Sequence, residues 1–156
     1  MSADSPNVRP SDVVPLDQPL YGATMVQAIS RFFRKYATFT GRASRSEFWW
    51  TYLAYILAGM AISGLLSVTG IAKVSLTDGG DVVYAPGYWI VWSIGLVVSL
   101  ALTVPFLAIC WRRLHDSDRP GPFFLFLFIP LAGPIILLVF LALPSRPSGA
   151  RYDRPA

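Results

Sequence analysis

Three apolar stretches, residues 48–72, 88–111 and 123–143, carry no charged side chain, and polar segments rich in cations separate them. At a helical rise of about 1.5 Å per residue, each stretch is long enough for a hydrocarbon layer of roughly 30 Å. The pattern therefore predicts membrane-spanning helices at about 45–70, 87–113 and 122–143. Ahead of them, residues 24–37 follow a helical period. Met25, Val26, Ile29, Phe32, Phe33 and Tyr36 share an arc of roughly 120°, with Gln27, Ser30, Arg31, Arg34 and Lys35 opposite. Such a helix suits the headgroup layer of an anionic leaflet, or packing against the protein's own spans. The expected fold is an all-α membrane protein: an amphipathic interfacial helix, then three transmembrane helices. Residues 1–20, with Pro6, Pro10, Pro15 and Pro19 among Asp and Ser, read as a disordered tail. Residues 21–145 form the helical membrane domain, and residues 146–156 read as an irregular tail.

Local signals refine the elements. Thr24 with Gln27, and Ser44 with Glu47, have the capping-box spacing, in which a hydroxyl accepts from a free backbone N–H while the longer side chain reaches back. Glu47 also sits where a helix dipole favours negative charge, with Arg42 and Arg45 as expected partners. Gly70 ends the first span, and Asp78-Gly79-Gly80-Asp81 marks a tight turn between two short alternating segments, predicting a small hairpin. Pro105 removes a backbone hydrogen bond and predicts a kink near Ala101. In the third stretch Pro130 and Pro134 flank Leu131-Ala132-Gly133, so that helix should be bent or broken near mid-membrane. Such a break leaves two topologies open, a full crossing or a re-entrant segment that returns the tail to its starting side. The full crossing is the expectation, because 21 residues suit one span better than two half-depth arms.

Composition changes the picture little. The chain has 156 residues, 54% hydrophobic and 14% charged, too apolar for a soluble core with a polar surface. Its net charge of +4 comes from cations bracketing the spans and not from a basic domain with interleaved aromatics, so nucleic acid is not an expected partner. Those cations set orientation. Arg31, Arg34, Lys35, Arg42 and Arg45 precede the first span and Arg112, Arg113 and Arg119 follow the second, against Lys73 alone in the intervening loop; the amino terminus is expected in the cytoplasm. The single Cys110 lies inside an apolar run and reads as a small hydrophobe.

Candidate chemistry is confined to one interface. Arg42, Arg45, Glu47, Arg112, Arg113, His115, Asp116 and Asp118 form an expected electrostatic cluster that docks helices or a partner. Arg112 and Arg113 complement the carboxyl end of the second helix, and Asp116, Ser117 or Asp118 is placed to cap the third. No catalytic motif, phosphate loop or paired cysteines appear, and no metal or cofactor is expected. Two other functions are compatible with these residues. A transporter or channel component would use the proline-broken segment, and a membrane-surface enzyme would use His115 with Asp116. Expected partners are the bilayer, particularly anionic lipids, and a second copy of the chain or another membrane protein.

The segments FTGRASRSEFWW at 39–50, RRLHDSDRPG at 112–121, IPLAGPIILLVFLALPS at 129–145 and GARYDRP at 149–155 resemble the bacterial inner-membrane family catalogued as domain of unknown function 805. The resemblance covers roughly residues 25–155. It implies a bacterial cytoplasmic-membrane protein with several spans and no established activity. Its signature falls on Gly41, Arg42, Arg45, Glu47, Trp49, Arg112, Arg113, Leu114, His115, Asp116, Pro130 and Gly133. Where relatives carry Ser-Gly and two tryptophans after the His-Asp pair, this chain has Pro120-Gly121-Pro122-Phe123-Phe124.

Overall fold

The structure is a computed structural model that describes residues 14–16 and 18–153. Its elements are α1 (Met25–Arg34), α2 (Arg45–Thr69), β1 (Val74–Leu76), β2 (Val82–Tyr84), α3 (Tyr88–Asp116), a 3₁₀ helix (Gly121–Phe128), α4 (Ala132–Ala142) and a second 3₁₀ helix (Pro147–Tyr152). The described chain is mostly helical, with one short antiparallel hairpin that pairs Val74 with Tyr84 and Leu76 with Val82. Both predicted capping boxes form. Thr24 Oγ1 accepts from the Gln27 N–H and Gln27 Oε1 accepts from the Thr24 N–H at 2.9 Å, while Ser44 Oγ and Glu47 make the same exchange at the head of α2.

The chain divides into two compact units. One runs from Tyr52 to Val104 and comprises the apolar length of α2, the β-hairpin and the first part of α3. Its large side chains face outward: Met60, Leu65, Val68, Ile90, Val97 and Leu100 are all exposed. Two helices, Arg45–Thr69 and Tyr88–Asp116, are long and apolar enough to cross a membrane, and only 6% of the first one's most apolar window is buried. A core helix of a soluble protein buries its apolar surface, whereas a lipid-solvated helix leaves it outside. Helix α3 continues through Pro105.

The other unit joins the residues up to Thr51 with those from Pro105 onward. Here the third apolar stretch departs from the expected 122–143 helix. It folds as a 3₁₀ arm and an 11-residue α-helix that pack on each other, with Phe123 and Phe126 against Phe140 at 5.8 and 6.0 Å between centroids. The physical reason lies in the prolines, which deny the backbone its regular bonds around Ile129-Pro130-Leu131; Leu131 takes a φ of 62° at the break. An 11-residue helix covers about 16 Å, half of a bilayer's hydrocarbon.

Both tail readings also change. Pro19 and Leu20 are buried, and Arg31 donates to the carbonyls of Val14, Pro15 and Gln18, so the stretch before α1 is docked where it is described. The expected disorder of residues 1–13 and 17 lies outside the described residues. The carboxyl segment is ordered into the Pro147–Tyr152 3₁₀ helix, with residues 154–156 outside the description. Helix α1 ends at Arg34, short of the expected 37, and its buried side mixes residues of both expected faces. Ala28, Arg31, Phe32 and Lys35 are buried, while Val26, Phe33 and Tyr36 are exposed.

Candidate functional site: a buried polar knot

The eight candidate residues gather in the unit that joins the beginning and end of the chain. A backbone bond from the Ala43 N–H to the Arg112 carbonyl, 3.1 Å, ties the head of α2 to the last turn of α3. Two carboxylates organise what surrounds this link.

Glu47 is 2% exposed and accepts three bonds: from Arg31 Nε at 2.5 Å, from the Ser44 N–H at 2.8 Å and from the Leu20 N–H at 3.1 Å. Arg42 and Arg45, its expected partners, are engaged elsewhere. Arg31 reaches Glu47 because its side of α1 turns inward, while Arg34 of the same expected face stays exposed. Arg112, 1% exposed, donates from Nε to the Ala108 carbonyl and lies within the field of Glu47 and Arg31. Buried charge is tolerated when paired and hydrogen-bonded, as Arg31 is on Glu47, whereas Arg112 Nη2 has no hydrogen-bond partner among the described residues.

Asp116 is fully buried. Its Oδ2 accepts from Arg113 Nη1 at 2.5 Å and from the Ser145 hydroxyl, and its Oδ1 accepts from the Tyr21 hydroxyl at 3.0 Å with Arg42 at 3.9 Å. Burial, and then the Asp116 charge, holds the Tyr21 phenol above its usual range. Arg113, also fully buried, spends its other donors on the carbonyls of Leu141 and Leu143, the free carboxyl end of α4. Arg45 donates to the same Leu143 carbonyl at 2.9 Å. Arg113 and Arg45 thus also close the end of α4, while Arg112 bonds within α3. Asp116, Ser117 and Asp118 do not cap the third segment as expected; the 3₁₀ helix at Gly121 has no side-chain cap.

The carboxyl segment completes the knot. Arg42 clamps Asp153 in a fork, Nε and Nη2 at 2.9 and 2.5 Å, and this bond, more than the neighbouring charges, raises the Arg42 guanidinium further above its ordinary range. The Gly41 N–H donates to the Tyr152 carbonyl at 3.0 Å, and the Arg146 N–H to the Asp116 carbonyl at 2.8 Å. His115 lies flat on Tyr152, 4.0 Å between ring centres, with Nδ1 3.1 Å from the Gly41 carbonyl. Asp118 accepts from Ser148 and pairs with Arg151 at 3.0 Å. Gly149 is required by close approach: a Cβ there would stand 2.5 Å from the His115 carbonyl oxygen and 3.4 Å from Arg42. Gly121 meets the Trp111 indole face with the same intolerance of a Cβ.

His115 and Asp116, adjacent in sequence, face different partners and share none. Among the described residues no three of His, Cys, Asp and Glu gather as a metal-binding group.

Glu47, Asp116 and the arginines Arg42, Arg45, Arg112 and Arg113 of this knot are among the residues the family resemblance marked, and a family model described as "Protein of unknown function (DUF805)" matches residues 36–154. The chain belongs to the DUF805 family. It is 30% identical over 119 residues to the Inner membrane protein YhaI of Escherichia coli K12, covering 76% of this chain and 86% of that protein. The Inner membrane protein YhaH of the same strain is 30% identical over 122 residues, covering 78% and 89%. No solved structure matches. The family match takes in both carboxylates and the whole carboxyl segment of the knot, but not Tyr21 or Arg31, which bind those carboxylates from ahead of it. Those two, with Ser145, Ser148, Arg151, Tyr152 and Asp153, are site residues that sequence reasoning passed over. The only signal for Arg31 was its place on the polar face of α1, and for Asp153 its place in the GARYDRP segment.

Proposed function

We propose that this DUF805 member is a non-enzymatic structural or interaction protein of the bacterial cytoplasmic membrane, with two crossing helices, a re-entrant third segment and both tails in the cytoplasm. The observation that carries the topology is where the third segment begins and ends. It leaves α3 with Gly121 against Trp111 and comes back with the Leu141 and Leu143 carbonyls on Arg113. A full crossing would separate those ends by roughly 30 Å. The re-entrant path also puts Arg146 and Arg151 with the other flanking cations, which removes the conflict a crossing creates with the positive-inside rule.

The role rests on how the polar groups are spent. Both buried carboxylates are saturated by internal donors, so they fasten segments together and have little left for proton transfer or substrate. His115 and Asp116 face apart, against a shared acid-base site. The broken backbone is locally satisfied too, since the Pro130 carbonyl accepts from Ala132 and the Ile129 carbonyl from Gly133, against an ion site of the kind unwound transporter helices form. With its fastening internal, the chain presents the outer faces of its two long helices, and the apolar edge of α1, to lipid or to another membrane protein.

Extraction of the full chain in detergent-free polymer discs, followed by native mass spectrometry, tests the role. The expected species is the chain, alone or with further membrane polypeptides, carrying phospholipid. A stoichiometric metal or small-molecule substrate lost on replacing His115 or Asp116 would contradict it.

A further inference from the structure

The residues that join α2 to α3 fold as a hairpin with a sidedness of its own. Its strands pair Val74 with Tyr84, Ser75 with Val83 and Leu76 with Val82. Residues directly opposite one another share a face, and faces alternate along a strand, so Val74, Leu76, Val82 and Tyr84 make one face and Ser75 and Val83 belong to the other. The alternation carries on into the turn, where the Thr77 N–H donates to the Asp81 carbonyl at 2.9 Å, and it puts Thr77 and Asp81 on the side of Ser75. The first face is wholly apolar, and its four residues remain 43% to 72% exposed. We infer that this face is seated on the phospholipid leaflet at that end of the two spans, which makes the hairpin an interfacial anchor between them.

Continuity with the lipid-facing surface of α3 selects the occupant. Tyr84 meets Tyr88 at 4.7 Å and Trp89 at 5.4 Å, and Trp89 meets Trp92 at 6.4 Å between ring centres. Trp89 and Trp92 are exposed at the start of α3, where amphipathic rings mark the headgroup level. Tyr84 therefore joins the apolar face of the hairpin to that ring cluster at its own height. The base of the hairpin is tied there as well. The Ala85 N–H donates to the Lys73 carbonyl at 2.9 Å, and Gly87 approaches Ile71 so closely that a Cβ would stand 2.9 Å from the Ile71 carbonyl oxygen. The backbone then sets the depth. Each strand has three residues and an outer edge of unpaired N–H and C=O groups, which hydrocarbon cannot satisfy. A seat in the headgroup layer leaves those edges, with Thr77, Asp78 and Asp81, in contact with water, while the apolar side chains reach about 5–10 Å toward the acyl boundary, as amphipathic segments do. So short an edge offers few bonds to a further strand, which disfavours a second copy as the occupant.

The seat rests on α2 and α3 crossing the bilayer and is independent of the path of the third segment. The test uses the full-length protein in phosphatidylcholine vesicles, with Leu76→Cys, Val82→Cys, Ser75→Cys and Val97→Cys made singly and coupled to an environment-sensitive fluorophore. All four positions are exposed, so no substitution disturbs a packed core. Wild type, whose Cys110 is buried, supplies the labelling background. A nitroxide carried on the lipid near its headgroup should quench the Leu76 and Val82 labels several-fold more than the Ser75 label, and iodide on both sides of the membrane should do the reverse. Leu76 and Ser75 labels equally open to iodide would overturn the inference. So would Leu76 and Val82 labels shielded from both quenchers, the mark of a protein covering that face. The Val97 label, read with a nitroxide deep in the acyl chain, separates two failures. Quenched there while Leu76 stays in water, it keeps the crossing of α3 and removes only the seat of the hairpin; open to iodide, it removes both.

Discussion

The two units of this molecule obey opposite rules of inside and outside. In the stretch from Tyr52 to Val104, helix residues such as Met60, Leu65, Ile90 and Val97 are exposed. In the unit formed by the two ends of the chain, Arg31, Glu47, Arg112, Arg113 and Asp116 are buried to 7% exposure or less. The difference shows what holds each together. Lipid solvates an apolar helix as well as a neighbouring helix does, so hydrophobic burial adds little to packing there. The knot relies on directional bonds, in which Arg31, Glu47, Arg113 and Asp116 are tolerated because their partners are present.

This contrast can be attacked where it is strongest. Glu47→Ala removes the carboxylate bound to Arg31 and leaves that guanidinium buried beside Arg112; the expected loss is about 3–5 kcal/mol, seen as a lower midpoint of thermal unfolding in detergent. Asp116→Asn comes next. It keeps the shape but strips Arg113 of its counter-charge, at an expected cost of about 3 kcal/mol, and limited proteolysis should then cut the carboxyl segment faster than in wild type. Gly149→Ala drives a Cβ toward the His115 carbonyl, with an expected cost of about 1–3 kcal/mol and the same proteolytic signature. The smallest effect belongs to the apolar unit. A Cβ at Gly59 or Gly95 meets nothing within 4 Å, so Gly95→Ala should change stability by less than about 1 kcal/mol, in the stabilising direction that helix propensity dictates. A large loss at Gly95 would reveal a packed interface and blur the distinction between the units.

How far the sequence disclosed this arrangement depends on the range of the forces involved. The two long helices, both capping boxes and the β-hairpin were legible because hydrophobic runs, Ser44 with Glu47, and Asp78-Gly79-Gly80-Asp81 act locally. The candidate residues were legible as a group, since charge crowds at the ends of apolar runs. Their pairing was not. Nothing local to Glu47 says that Arg31 reaches it before Arg42 or Arg45, because that choice depends on which face α1 turns inward. For α1 the sequence left open the headgroup layer and packing on the protein itself; Glu47 draws Arg31 inward, while Arg34 stays exposed. The prolines announced a break in the third stretch, but not that Arg113 and Asp116 would gather its far end and the segment beyond, since those bonds join residues 28 and 30 positions apart.

The central claim is that the third segment turns back, so that the tail ends on the side where the chain began. Fusion of a folding fluorescent reporter and, separately, a periplasm-dependent phosphatase after Ala156 reads that side directly. A fluorescent fusion with an inactive phosphatase is the predicted result. An active phosphatase with a dark reporter would mean that residues 122–143 cross the bilayer and that the knot, as described, does not exist in the membrane.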